Sequence, residues 1–237
     1  MDIPGTFIPL AAALVSSVFA ALVLRRFRFS PKSRHLLLWG IGMIFYAIGG
    51  YAEAWYGAFG YHNIAYKLWY LSGAILVAAW LGEGTVFLLW KERGWAKASL
   101  WVLLIASFLA AGLVMEVTPQ PQNLAAGELT GAALPSAVRL LTPFFNIYGT
   151  LFLAGGALYS AWIFYRKRVL LHRTLGNILI AAGAFAPAIG GTLNRFGTIP
   201  YALYVGELVG AILMFAGFLR ATTPMKDEQP ENVPQPV

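Results

Sequence analysis

Apolar residues along this chain come in long unbroken runs rather than in alternating or amphipathic stripes, and polar residues gather in short clusters between them. Seven runs are predicted as helices at roughly 5–25, 35–57, 66–90, 97–116, 142–165, 174–194 and 199–220. Each is long enough to cross about 30 Å of hydrocarbon at about 1.5 Å per residue. A lone segment in lipid satisfies its backbone only by being helical. The expected fold class is therefore all-α, a polytopic membrane protein with a seven-helix domain over 1–220.

Composition agrees with the pattern. Hydrophobic residues are 59% of the 237 and charged residues 11%, and the mean hydropathy is +0.66. A soluble domain of this size could not wet its surface with so few charges. The net charge of +7 would suggest nucleic acid in a soluble chain, so its placement matters. Arg25, Arg26, Arg28, Lys32 and Arg34 follow the first run. Lys91, Arg93 and Lys97 follow the third, Arg166, Lys167, Arg168 and Arg173 the fifth, and Arg220 and Lys226 the last. Only Lys67, Arg139 and Arg195 fall on the other side. Basic loops stay cytoplasmic, which predicts an outside N-terminus and a cytoplasmic C-terminus, and makes the charge a topology signal with no nucleic-acid partner implied. The expected localisation is a cell membrane, a bacterial inner membrane in particular.

The first run is not read as a cleavable signal, because MDIPGTFIPL carries no positive charge and RRFRF follows the apolar stretch. Residues 221–237 are proline-rich and polar and are expected to be a disordered cytoplasmic tail. The outer loop 117–141 is the longest connection, a length often functional or disordered.

An internal echo organises the runs. AIGG stands at Ala47–Gly50 and again at Ala188–Gly191, 141 residues on, and the same offset brings Arg25, Arg26 and Lys32 onto Arg166, Lys167 and Arg173. GAIL recurs at Gly73–Leu76 and Gly210–Leu213, an offset of 137. These matches predict two parallel three-helix repeats, 5–90 and 142–220, joined by linker helix 97–116. Parallel repeats are related by an axis along the membrane normal. In this arrangement the chain resembles the three-plus-one-plus-three superfamily of transporters, opsins and receptors, over about 215 residues and at the level of topology. It departs from the PQ-loop carriers in having its PQ dipeptides in the outer loop, and from the rhodopsins in lacking a lysine between Phe196 and Leu219 for a retinal Schiff base. WYLSGAILVAAWLGEGTVFLL also resembles text from an uncharacterised bacterial membrane family, which implies no activity.

No catalytic constellation is legible. Cysteine is absent, Asp occurs only as Asp2 and Asp227, and His35, His62 and His172 sit at run ends or in loops. Heme, zinc and a serine triad therefore lack their residues, and no cofactor or metal is implied.

What remains is a set of polar groups at membrane depth, each costing roughly 2.5–3.5 kcal/mol to insert. Glu207 shares its helix face with Gly210 and Gly217, and glycine faces meet other helices. It is either a ligand or proton site, or interhelical glue. Glu53 has Asn194 as its repeat counterpart, beside Arg195, so it either lines an outer-facing pocket or pairs with Arg195 at the interface. Tyr51, Trp55, Tyr201, Tyr204, Asn146 and Tyr148 are further candidates for that pocket. Glu83 reads as an inner gate or as a salt-bridge partner of Arg220. Pro187 is expected to kink the sixth run. The candidate ligand set is thus Glu207, Glu53, Arg195, Asn194, Tyr204 and Asn146, with Glu83 as inner gate. Two functions fit: a small-solute transporter, or a non-retinal receptor signalling through a separate partner. The implied partners are the bilayer, a small molecule and, for the receptor, another protein or a second copy.

Overall fold

The computed structural model describes residues 2–90, 94–124, 129–167, 171–196 and 199–222. Beyond its first two residues, the expected tail lies outside this part, as do 125–128 of the long loop and the side chain of Arg195. Among the described residues the fold is all-α. Seven helices are long and apolar enough to span a membrane: α1 Ile3–Phe29, α2 Arg34–Phe59, α3 Asn63–Trp90, α4 Gly94–Glu116, α5 Leu141–Arg166, α6 Leu171–Arg195 and α7 Ala202–Thr222. All seven predicted runs are helices. Several extend a turn past the predicted limits because capping and basic residues carry the helix out of the apolar stretch. α1 starts where Asp2 accepts from the Gly5 amide at 3.2 Å, with Pro4 in its first turn, and runs on through Arg25, Arg26 and Arg28.

Six of the helices close a ring in the order α1, α2, α3, α5, α6, α7, with α7 packed back on α1. The closing corner is polar: Tyr201 Oη donates to Asp2 Oδ1 at 2.9 Å, and the Asp2 amide to the Gly57 carbonyl at 2.9 Å. α4 stands outside the ring, tied to α3 at three levels. Lys67 Nζ donates to the Met115 carbonyl at 2.7 Å, Trp80 Nε1 to Ser107 Oγ at 3.2 Å, and Ser99 Oγ to Glu83 Oε1 at 2.9 Å. The lysine sits where the last carbonyls of α4 carry partial negative charge. The rest of α4 faces outward through Trp95, Trp101 and Phe108, as do large apolar side chains of every other helix. Such a surface needs lipid, and the fold is that of a multi-pass membrane protein.

Lipid supplies no hydrophobic drive between helices, so close packing must come from small residues. A Cβ on Gly49 of α2 would lie 3.0 Å from the Cα of Gly73 in α3, and one on Gly42 would lie 3.1 Å from the Leu81 amide nitrogen. On the opposite side of the ring, a Cβ on Gly206 of α7 would lie 3.2 Å from the Cα of Gly190 in α6, and one on Gly183 2.8 Å from the Met214 amide nitrogen. Gly176, Gly183 and Gly190 recur every seven residues, the repeat that keeps one seam facing a neighbour along a left-handed crossing. α3 and α5 meet where a Cβ on Gly82 would be 2.9 Å from the Gly149 Cα.

The loop before α5 is folded, not loose. Leu129, Ala133, Leu134 and Val138 are buried against Tyr66, Tyr70 and Val114. Tyr66 Oη donates to the Thr130 carbonyl at 2.8 Å, and the Leu129 amide donates to Tyr204 Oη at 3.2 Å.

Candidate functional site

Inside the ring, toward the end of the bundle where the chain begins, α2, α3, α5, α6 and α7 enclose a cavity of about 270 Å³. Its walls follow from helical spacing. On α2, Tyr46, Gly49, Gly50 and Glu53 recur at intervals of three and four and present one face; Tyr51 and Trp55, on the other face, are exposed. On α5, Thr142, Asn146 and Thr150 make a polar stripe at intervals of four, while Phe144, Ile147 and Leu151 between them face outward. α6 contributes Gly183, Ala184, Pro187 and Ala188, and α7 contributes Leu203, Glu207 and Met214.

α3 is irregular here. Its stretch Tyr70–Leu76 is a π-helix, in which the Val77 amide bonds back to the Ser72 carbonyl. A π turn carries one residue more than an α turn and is frequent at functional sites. It places Trp69, Gly73 and Ala74 in the cavity wall. Asn146 Nδ2 donates to the Ala74 carbonyl inside this stretch at 3.2 Å, binding α5 to it.

Two carboxylates share the cavity. Glu53 is 1% exposed, and its Oε1 accepts from Trp69 Nε1 at 2.6 Å. Glu207 is half-buried in the opposite wall, and its backbone carbonyl accepts from Tyr46 Oη at 2.8 Å, so a single phenol ties α2 to α7 across the lumen.

Of the expected ligand set, the structure brings Glu53, Glu207 and Asn146 together. Asn194 is not in the described lining, and Tyr204 is fully buried, turned to the long loop through its bond with Leu129. Tyr201 is engaged with Asp2, and the side chain of Arg195 lies outside the described part. Glu83 stands away from the cavity, fully buried between α3, α4 and α5, where it accepts from Ser99 and through a short bond from Tyr148. The alternative pairing with Arg220 does not form: residue 83 points to α4 and α5, and Arg220 ends α7. Tyr46, Trp69, Thr142 and Thr150 are cavity residues that sequence reasoning missed. The Thr–Asn–Thr stripe at intervals of four on an otherwise apolar helix is the signal that could have found two of them.

A second cavity, of about 350 Å³, lies at the arginine-rich end and is lined from the same five helices. His35 and Trp39 come from α2, Leu88 and Leu89 from α3, Ser160 and Phe164 from α5, Arg173 and Asn177 from α6, and Phe218 and Thr222 from α7. Between the cavities, each helix contributes a band of two to six residues, so that the two linings stand roughly 5–10 Å apart along the helices. Leu81, Leu153 and Met214 floor the first cavity and pack with Met43 and Phe218. Trp39 Nε1 braces this plug by donating to the Leu81 carbonyl at 3.0 Å.

Among the described residues no group of three or more His, Asp or Glu converges as a metal site would require. No family model, curated protein or solved structure matches the chain, so what the cavities do follows from their own geometry.

Proposed function

We propose that this protein is a small-solute carrier whose site is the Glu53–Glu207 cavity. The observation that carries the reading is the pair of cavities on one axis, lined by the same five helices and parted by a thin apolar plug. A carrier must open one site to either side in turn, and stacked vestibules around a narrow barrier are the resting form of such a device. A receptor needs the first cavity but not the second.

Internal duplication supports the same reading. The two glycine crossings, Gly49 on Gly73 and Gly190 on Gly206, and the two below them, Gly42 on Leu81 and Gly183 on Met214, are paired by one rule. α2 and α6 correspond at 141 residues, as AIGG implies. α3 and α7 correspond at 133 residues (Gly73 to Gly206, Leu81 to Met214), one helical turn short of the 137 that GAIL suggests. On this reading the register of the halves follows the packing glycines instead of the recurring tetrapeptide. With α4 as the linker outside the ring, α1–α3 and α5–α7 then form parallel halves that rock against each other. On this reading the arginine-rich end is cytoplasmic and the N-terminus outside, in a bacterial inner membrane; the basic loops support that orientation.

The test is solute uptake into liposomes holding the purified protein. Glu207→Gln, which leaves the backbone carbonyl for Tyr46 intact, is expected to cut uptake at least tenfold with normal folding; unchanged uptake would remove the cavity from the mechanism. Ligand binding without any uptake would favour the receptor reading.

A further inference from the structure

The segment before α5 crosses the bundle where the cavity ends. In the order of the ring, α3 and α7 are three places apart whichever way one counts, so they face each other across the lumen. Consecutive residues of the segment are held from these two opposite walls. Tyr66 of α3 donates from Oη to the Thr130 carbonyl at 2.8 Å, and Tyr204 of α7 accepts at Oη from the Leu129 amide at 3.2 Å. Both phenols are buried, so each reaches inward from its own helix. One peptide bond joins the two residues they hold, which lays this part of the chain over the lumen. Directly beneath it is the rim of the cavity. Trp69 and Leu203, which line it, stand three residues from Tyr66 and one from Tyr204. Gly131 rests on the Tyr70 ring, where a Cβ would lie 2.9 Å from Cε2, and the Tyr70 hydroxyl shares a hydrogen bond of 2.8 Å with the lining residue Thr142.

The two attachments differ in kind. Toward α3 the segment is packed: Leu129, Ala133 and Leu134 are buried with Tyr66, Tyr70 and Val114, and the Ala133 carbonyl accepts from the Gln120 amide at 2.8 Å, tying it back to the chain that leaves α4. Toward α7 it is held by the bond from Leu129 to Tyr204. A packed apolar cluster keeps its place, whereas one neutral hydrogen bond is weak enough to break and re-form.

From this we infer that residues 129–134 are the gate of the central cavity at the end where the chain begins, hinged on α3 and latched to α7 by Tyr204. Lids of this kind shut a site from water and open on release of a few contacts. Only the opening of the gate in each cycle rests on the carrier reading: Tyr66 and Tyr204 then ride on different halves, and rocking these apart draws the latch.

The chain has no cysteine, so a thiol placed in the cavity is the sole one to react. Thr150→Cys puts it in the wall, and the full chain in detergent is treated with a charged, water-soluble methanethiosulfonate, labelling being followed by mass. Adding Tyr204→Phe is expected to speed labelling severalfold. Leu129→Pro, which removes the amide hydrogen from the other side of the latch, is expected to do the same. Ser99→Ala, which loosens α4 away from the cavity, is expected to leave the rate unchanged. An unmoved rate in Tyr204→Phe, or an equal acceleration in Ser99→Ala, would overturn the gate. Faster labelling in the latch variants with no solute uptake by liposomes sinks the carrier and leaves the gate standing. Uptake with labelling indifferent to the latch does the reverse.

Discussion

The indole of Trp69 donates to the carboxylate of Glu53 at 2.6 Å across the α2–α3 seam, inside the cavity wall. Because Glu53 is almost wholly buried, this bond does more than join two helices: it holds an acid at a depth where an unsatisfied oxygen is costly. Trp69→Phe keeps the ring's bulk and removes the donor. A stability loss of about 1–3 kcal/mol is expected. Thermal unfolding in detergent checks it, and an unaltered melting temperature would mean the bond is not what fixes Glu53.

Gly82 and Gly149 mark the crossing of α3 and α5, where backbone meets backbone and nothing flexible can yield. Gly82→Ala is expected to destabilise by about 1–3 kcal/mol through overpacking. Gly155, with nothing within 4 Å of a built Cβ, is the control. Gly155→Ala is expected to be neutral or slightly stabilising, by at most about 1 kcal/mol. Matching losses at both positions would contradict the seam.

The plug between the cavities is thin enough to breach. Leu153→Ala removes apolar volume from the face of the plug that floors the first cavity, and liposomes carrying this variant are expected to leak small solutes down their gradients, severalfold faster than wild type and without saturation. A tight variant with normal folding would show that the two cavities do not face each other through this band.

Tyr204 reaches the long loop rather than the cavity. Tyr204→Phe leaves the buried amide of Leu129 without its acceptor, a loss of about 1–3 kcal/mol to the docking of that segment. Limited proteolysis within 117–141 is expected to speed up severalfold while the helices stay intact. Unchanged cleavage would show that the apolar contacts of Leu129 and Leu134 hold the loop alone.

Glu83 tests the attachment of α4. Ser99→Ala and Tyr148→Phe each withdraw one donor from a fully buried carboxyl, and each is expected to cost about 1–3 kcal/mol. Since they serve the same group, the double variant is expected to fall short of or exceed the sum; strict additivity in unfolding measurements would show two independent contacts.

The helices were legible in the sequence because lipid imposes a length and a polarity that few side chains can disguise. Glu53, Glu207 and Asn146 were legible as site candidates for a related reason: a polar group at that depth stands out. What the sequence concealed is rotational. Tyr204 lies only three residues from Glu207, yet Tyr204 turns to the loop and Glu207 to the cavity. Trp69 and Tyr46 look like ordinary membrane aromatics until their polar hydrogens are followed to partners on other helices.

The π stretch of α3 fixes something well beyond its own seven residues. It supplies one residue more than the α period needs, and so sets the rotational phase of everything from Val77 to Trp90. Were that residue removed, Glu83 would arrive where Gly82 now slides past the α5 backbone, a place where even a methyl group must push the two backbones apart. The irregular turn and the bare glycine nine residues from Gly73 are therefore one mechanical part in two pieces, and neither can be altered without the other.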